Sequence, residues 1–158
     1  MIRRAAAADE GAVAALTRAA YAQYRAVLDA DPIPVTEAYG PRIARGEVWL
    51  LEEPAGGTDA PAGLIVLERR VDHLLIFSVA VHPAHQGRGH GLRLLRFADE
   101  TARAAGLAEI RLYTNARMTR NIALYTRYGY RETGRQMNPA RPGWVRVDMA
   151  RALDGPAA

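Results

Sequence analysis

The chain contains no cysteine and no lysine in 158 residues, and no apolar run approaches the ~18 residues needed to cross a bilayer. Without cysteine there is no disulfide, no thiolate zinc site and no thiol nucleophile. All 21 basic residues are therefore arginine, which excludes any mechanism built on a catalytic or phosphate-gripping lysine. The opening MIRRAAAADEGAVAAL carries Asp9 and Glu10 where a signal peptide would keep an unbroken apolar core. The expectation is a cytoplasmic protein that engages no membrane.

What is present fits one domain over residues 1–153 with a short tail at 154–158, since the length suits a single core and not two. A net charge of +4 and a pI near 9.8 favour an anionic ligand. The arginines are scattered singly or in pairs, so nucleic acid is not the expected partner.

Periodicity gives a coarse order of elements. Ile2 to Ala6 reads as a short strand. Asp9 reads as the N-cap of a helix with Val13, Leu16, Ala20 and Tyr24 on its apolar face. DPIPVTE breaks that helix, and a second, shorter one runs to about Ala44. VWLLE and GLIVLERR form a hairpin across a tip loop, Glu53–Gly63. His73 to Val81, HLLIFSVAV, is apolar at nearly every position, so both faces should be covered. A helix follows to Ala105, with Gly91, Leu94, Leu95, Ala98, Ala102 and Ala105 as its stripe and Gly106 as its C-cap. EIRLYT, a helix from Thr119 to Gly129, and the strands YRETGRQM and WVRVDMARAL complete the chain. A strand–helix–strand crossover among hairpins implies an α+β fold: a mixed, mostly antiparallel sheet with helices on both faces.

The segment HQGRGHGLRLL places glycine at 87, 89 and 91, immediately before an apolar-periodic run. Glycine costs about 0.5–1 kcal/mol against alanine in regular structure, so the alternation needs a local reason. A P-loop requires lysine, which is absent. The dinucleotide fingerprint requires glycines at offsets 0, 2 and 5, and Leu92 or Leu94 stands at the third place. A tight turn alone would not need alternating glycines ahead of so regular a helix. A helix N-terminus offers unpartnered amides and positive dipole, and residues without side chains let a diphosphate approach them. On that reading Gly87, Gly89 and Gly91 clear space, the amides of Arg88, Gly89, His90 and Gly91 donate, and Arg88 adds charge.

The pattern Gln86-Gly87-Arg88-Gly89-His90-Gly91 between a central strand and a helix resembles the acetyl-CoA segment of the GNAT superfamily of N-acetyltransferases. NIALYTRYGY, Asn121 to Tyr130, resembles the second signature of that superfamily. The resemblance extends to the element order over nearly the whole chain. It implies a splayed parallel strand pair, with Val79, Ala80 and Val81 pairing to the pantetheine arm like an added strand. It further implies acetyl-CoA as cosubstrate, bound by Gln86 to Gly91, Asn121 and Tyr125; no His/carboxylate spacing suggests a metal. Ser78, the polar residue inside the apolar run, is either the bulge of that strand or a core serine.

The implied reaction moves an acetyl group directly from the thioester to a primary amine, in a small molecule or a peptide. Tyr125 is the candidate general acid for the departing thiolate. Tyr128 reads as a core or rim aromatic. Arg117, Arg120 and Arg127 are candidates for the 3′-phosphate, and a strand amide near Val79 for the developing oxyanion. Some relatives carry a glutamate where this chain has Leu75. His73, Glu37 or a water chain could take its place, while His82 and His85 read as rim residues. That departure motivates an alternative, a non-catalytic acyl-CoA-binding or regulatory module of the same fold. Tyr21, Tyr24, Tyr39, Trp49 and Trp144 are candidates for the acceptor pocket, and a homodimer is compatible with the chain.

Overall fold

The computed structural model describes residues 1–53 and 60–153. Its strands are β1 Ile2–Arg4, β2 Val48–Leu51, β3 Gly63–Arg69, β4 Leu74–Val81, β5 Glu109–Asn115, β6 Arg131–Met137 and β7 Val145–Ala152. Its helices are α1 Glu10–Tyr21, α2 Ile33–Thr36, α3 Tyr39–Ala44, α4 His90–Ala104 and α5 Thr119–Tyr128. The strands form one sheet in the order β1-β2-β3-β4-β5-β7-β6. β4 and β5 run parallel; β1–β2, β2–β3, β5–β7 and β6–β7 run antiparallel. This is the mixed α+β fold expected from the sequence. The tail at 154–158 and residues 54–59 of the tip loop lie outside the described residues.

Two interleaved compact units make up the chain, Met1–Glu68 with Phe77–Arg96 and Arg69–Ile76 with Phe97–Ala158. In the first, α1 buries Val13, Leu16 and Ala20, and Tyr24 follows in a 3-10 turn instead of a longer helix. Leu50, Leu51, Leu64, Ile65 and Val66 are fully buried, so β2 and β3 are covered on both faces. Each such side chain contributes about 1.5–3 kcal/mol through burial. β4 meets the expectation of double burial only at Leu74, Leu75 and Ile76. From Phe77 the strand alternates, with Phe77, Val79 and Val81 half-buried and Ser78 and Ala80 buried. The segment departs from its expected pattern because one face of its second half is left partly uncovered. The second helix of the sequence reading is two short ones, α2 and α3, separated where Glu37 turns extended.

Asp9 occupies the N-cap position of α1 as expected, but its side chain makes no capping bond to that helix. A 3-10 turn, Ala7–Asp9, precedes α1, so the carboxylate reaches back instead of forward. It accepts the Ala6 amide at 2.7 Å and the Arg3 guanidinium at 2.8 and 3.0 Å. The Arg3 hydrogen bonds, and then the Ala6 amide, hold its pKa down to about 2. The folded state therefore binds that proton less readily than the unfolded chain. The contribution is complete above the unfolded carboxyl range near ~4 and disappears as the pH falls through about 2. Asp9→Ala is expected to cost about 1 kcal/mol at pH 7, and urea denaturation should show the gap to wild type closing toward pH 2.

In the second unit β5 lies between two partners. Leu74, Leu75 and Ile76 pair with Ile110, Arg111 and Leu112, and β7 pairs along β5 from Glu109↔Ala152 to Asn115↔Arg146. α5 ends at Gly129, whose φ of 115° only glycine adopts readily. There the Gly129 and Tyr130 amides close on the carbonyls of Thr126 and Tyr125. A buried carboxylate, Asp99, sits on the apolar stripe of α4 and accepts Tyr128 Oη at 2.9 Å and Arg151 Nη1 at 2.8 Å. Removing it strands a partly buried guanidinium, so Asp99→Ala is expected to cost about 3 kcal/mol. Denaturation of that variant and of its double with Arg151→Ala should give a sum well short of additivity. Among the described residues no helix is long and apolar enough to cross a membrane.

Candidate functional site

β4 delivers the chain into the glycine loop through a 3-10 turn, Pro83–His85. His82 fixes the turn, donating its amide to the Ala62 carbonyl at 2.8 Å and accepting the Ala84 amide on Nδ1 at 3.1 Å. The Gln86 side chain folds back, donating Nε2–H to the Val81 carbonyl at 3.2 Å. Gln86, Gly87, Arg88 and Gly89 are exposed.

Gly87 and Gly89 both have φ of 79°, and a Cβ added to either would meet nothing within 4 Å. No packing constraint of the protein demands glycine there; the left-handed backbone does. α4 begins at His90, and Arg93 donates to the Gly89 carbonyl at 3.1 Å as the helical ladder starts. The amides of His90, Gly91 and Leu92 thus lie ahead of the ladder. Among the described residues none of Gly87 to Gly91 gives its amide to another backbone group. Amides without a backbone partner among the described residues, on a loop with room around Gly87 and Gly89, are what a phosphate cradle requires.

A carboxylate from the end of β2 reaches this loop. Glu53 Oε1 lies 2.5 Å from His90 Nε2, and Oε2 lies 2.8 Å from His85 Nδ1 and 3.1 Å from Arg88 Nη1. Burial works to raise the Glu53 carboxyl, but the hydrogen bonds of His90 and His85 and the Arg88 charge outweigh it and hold it below the usual range. His90 is buried with no partner on Nδ1 among the described residues. The sequence expectation was of no metal; these three side chains nevertheless bring potential ligand atoms within 4.8 Å of one another. Glu53 lies 32 residues before His85, so no spacing in the sequence announced the contact.

Val79, Ala80 and Val81 fall on the part of β4 that runs past its recorded ladder with β5. Ser78 is buried, 3.3 Å from the Tyr21 hydroxyl; the recorded sheet irregularity falls between Glu132 and Gly134. Burial raises the Tyr21 phenol, against the opposing hydrogen bond from Ser78. Tyr24 and Tyr39 are buried as well. Trp49 is covered by Arg4 and Trp144 by Arg141, each guanidinium under 5 Å from the ring centroid.

In the second unit Asn121 and Tyr125 stand four residues apart on α5, half-buried and buried respectively. Tyr125 packs edge-on against Tyr130 at 5.9 Å. Tyr128 stacks on Tyr130 and donates to Asp99, as its reading as a core or rim aromatic requires. Arg117, Arg120 and Arg127 are exposed.

The candidate bases are engaged. Glu37 lies 3.5 Å from Arg42, a buried guanidinium that also meets Glu47 and Glu68 and stacks on Phe77. His73 Nδ1 is 2.6 Å from Asp72, and Leu75 is buried. Sequence reasoning passed over Asp99 and Arg42. A signal existed for Asp99, an acid four residues after Leu95 on an apolar stripe; Arg42 offered none.

Residues 44–132, more than half of the chain, match the model of the acetyltransferase (GNAT) domain. An IAA acetyltransferase of Azospirillum brasilense is 29% identical over 58% of this chain. A mycothiol acetyltransferase of Jonesia denitrificans is 33% identical over 69% of it. The chain spans 60% and 29% of the lengths of these two relatives. A Salmonella typhimurium structure with its cofactor acetyl-CoA superposes with a TM-score of 0.71 at 26% identity, covering 100% of this chain and 96% of that one.

Proposed function

The chain belongs to the GNAT acetyltransferase family, and on that premise we propose that it binds acetyl-CoA and transfers the acetyl group directly to a primary amine. One observation carries the reading: Gly87 and Gly89 hold positive φ beside open space, at the mouth of a helix whose first amides meet no other backbone group among the described residues. Bound there, acetyl-CoA supplies an activated acetyl group as a thioester.

The residues divide the remaining work. Amides of Arg88, Gly89, His90 and Gly91 hold the diphosphate, and Arg88 contributes charge. Gln86 holds the strand end in place through the Val81 carbonyl. Val79, Ala80 and Val81 offer backbone groups to the pantetheine arm, and the Val79 amide steadies the acyl oxygen. Asn121 positions the cofactor from the same face of α5 as Tyr125. Tyr125 gives its phenolic proton to the departing sulfur, while the proton of the attacking amine leaves to solvent.

Leu75, apolar and buried, favours a second reading, an acyl-CoA-binding module without turnover. A screen of primary amines, small molecules and peptides with free N-termini, followed by thiol release, separates the two. The first reading predicts release that depends on the amine. Cofactor binding with no release for any amine would favour the module.

A further inference from the structure

The side chains beneath the loop form a group that the acetyl-transfer chemistry does not use. Glu53 collects His85, His90 and Arg88 on one carboxylate whose side chain is only 21% exposed. His85 and His90 address different oxygens, and their rings lie 6.4 Å apart, tilted by 58°. Two imidazoles and a carboxylate, converging from two elements, are a borderline-soft ligand set. Arg88 is 55% exposed and meets the same carboxylate from solvent, where an ion pair is weakly held.

The geometry points to a site for one Zn²⁺ ion on Glu53, His85 and His90. Ligands at 2.0–2.2 Å around a tetrahedral ion stand roughly 3.3 Å apart. Glu53 approaches both nitrogens more closely than that, through hydrogen bonds of 2.5 and 2.8 Å. The ligand atoms all lie within 4.8 Å of one another, so side-chain adjustment of Glu53, His85 and His90 brings them to that spacing. Three protein ligands leave a fourth position for water or another oxygen donor.

His90 supplies the second argument. Its ring is buried, and no group among the described residues donates to Nδ1. Nε2 faces the Glu53 carboxylate at 2.5 Å and so carries a proton in the metal-free protein; metal binding takes that proton's place at Nε2, with the ring in its Nδ1–H form. His82 stands outside the set: its ring lies 5.9 Å from that of His85, but its Nδ1 is taken by the Ala84 amide. The inference does not depend on the cofactor reading, because its ligands are the side chains of Glu53, His85 and His90, where that reading uses backbone amides and the Arg88 charge.

The test is titration of chelator-treated protein with Zn²⁺ by calorimetry, and with Co²⁺ by visible absorption. One equivalent should bind saturably, with a Co²⁺ spectrum of a four-coordinate site. His85→Ala and Glu53→Gln should each weaken binding by on the order of 100-fold. Melting curves of the metal-free variants control for folding. Uptake that does not saturate, or that is equal in wild type, His85→Ala and Glu53→Gln, overturns the site and leaves Glu53 as an ion-pair partner. Parallel titration of the metal-free protein with CoA keeps the two readings apart, since either can fail while the other holds.

Discussion

Gly89→Asp should abolish measurable binding of acetyl-CoA and CoA while the protein stays folded. The two halves of that result have separate causes. An added Cβ meets nothing within 4 Å, so no neighbour is displaced. The φ of 79° strains a side-chain-bearing residue by roughly 1–2 kcal/mol, and aspartate tolerates that region better than most. The carboxylate, however, stands where the diphosphate should lie, and placing like charges together costs several kcal/mol. Affinity should fall by at least ~100-fold. Gly89→Ala carries the strain without the charge and should lose much less. Calorimetric titration of both variants, beside their melting curves, checks the pair; retained affinity in Gly89→Asp would place the diphosphate elsewhere.

The second large effect is expected at Tyr125. The ring is buried and packs edge-on against Tyr130, so phenylalanine can keep the packing while losing only the hydroxyl. If that hydroxyl protonates the departing thiolate, Tyr125→Phe lowers kcat by about 10²–10⁴-fold, the usual range for a lost general acid. The KM for acetyl-CoA should move little, because binding rests on the loop. Steady-state rates with the best acceptor from the amine screen give the split. A kcat within a few-fold of wild type would remove Tyr125 from the chemistry. Loss confined to KM would make it a binding residue only.

The parts of the molecule that could be read from the chain share a physical trait: their cause is local. Gly87 and Gly89 stand where φ must be positive, and Gly106 and Gly129 where helices turn left-handed to stop. Val13, Leu16 and Ala20 repeat at helical spacing and are buried accordingly. Contacts made by the fold were not readable in that way. Glu53 meets His85 and His90 only because the end of β2 reaches the loop after β4. Asp9 stands at the N-cap of α1 as expected, but a preceding 3-10 turn sends its carboxylate to Ala6 and Arg3 instead of the first amides of α1. Burial misled where coverage changes along one strand. The apolar run of β4 predicts two covered faces, yet Phe77, Val79 and Val81 remain half-buried, because hydropathy does not show where a layer of helices ends. The aromatic candidates for the acceptor pocket show the converse. Tyr21, Tyr24 and Tyr39 are buried, and the acceptor is the part of the proposal with the least sequence to read.

The most direct measurement is amide NMR of the ¹⁵N-labelled protein during titration with CoA. Main-chain donors holding the diphosphate predict the largest shifts at the amides of Arg88, Gly89, His90 and Gly91, all saturating together. Binding that leaves those four signals in place would contradict the account.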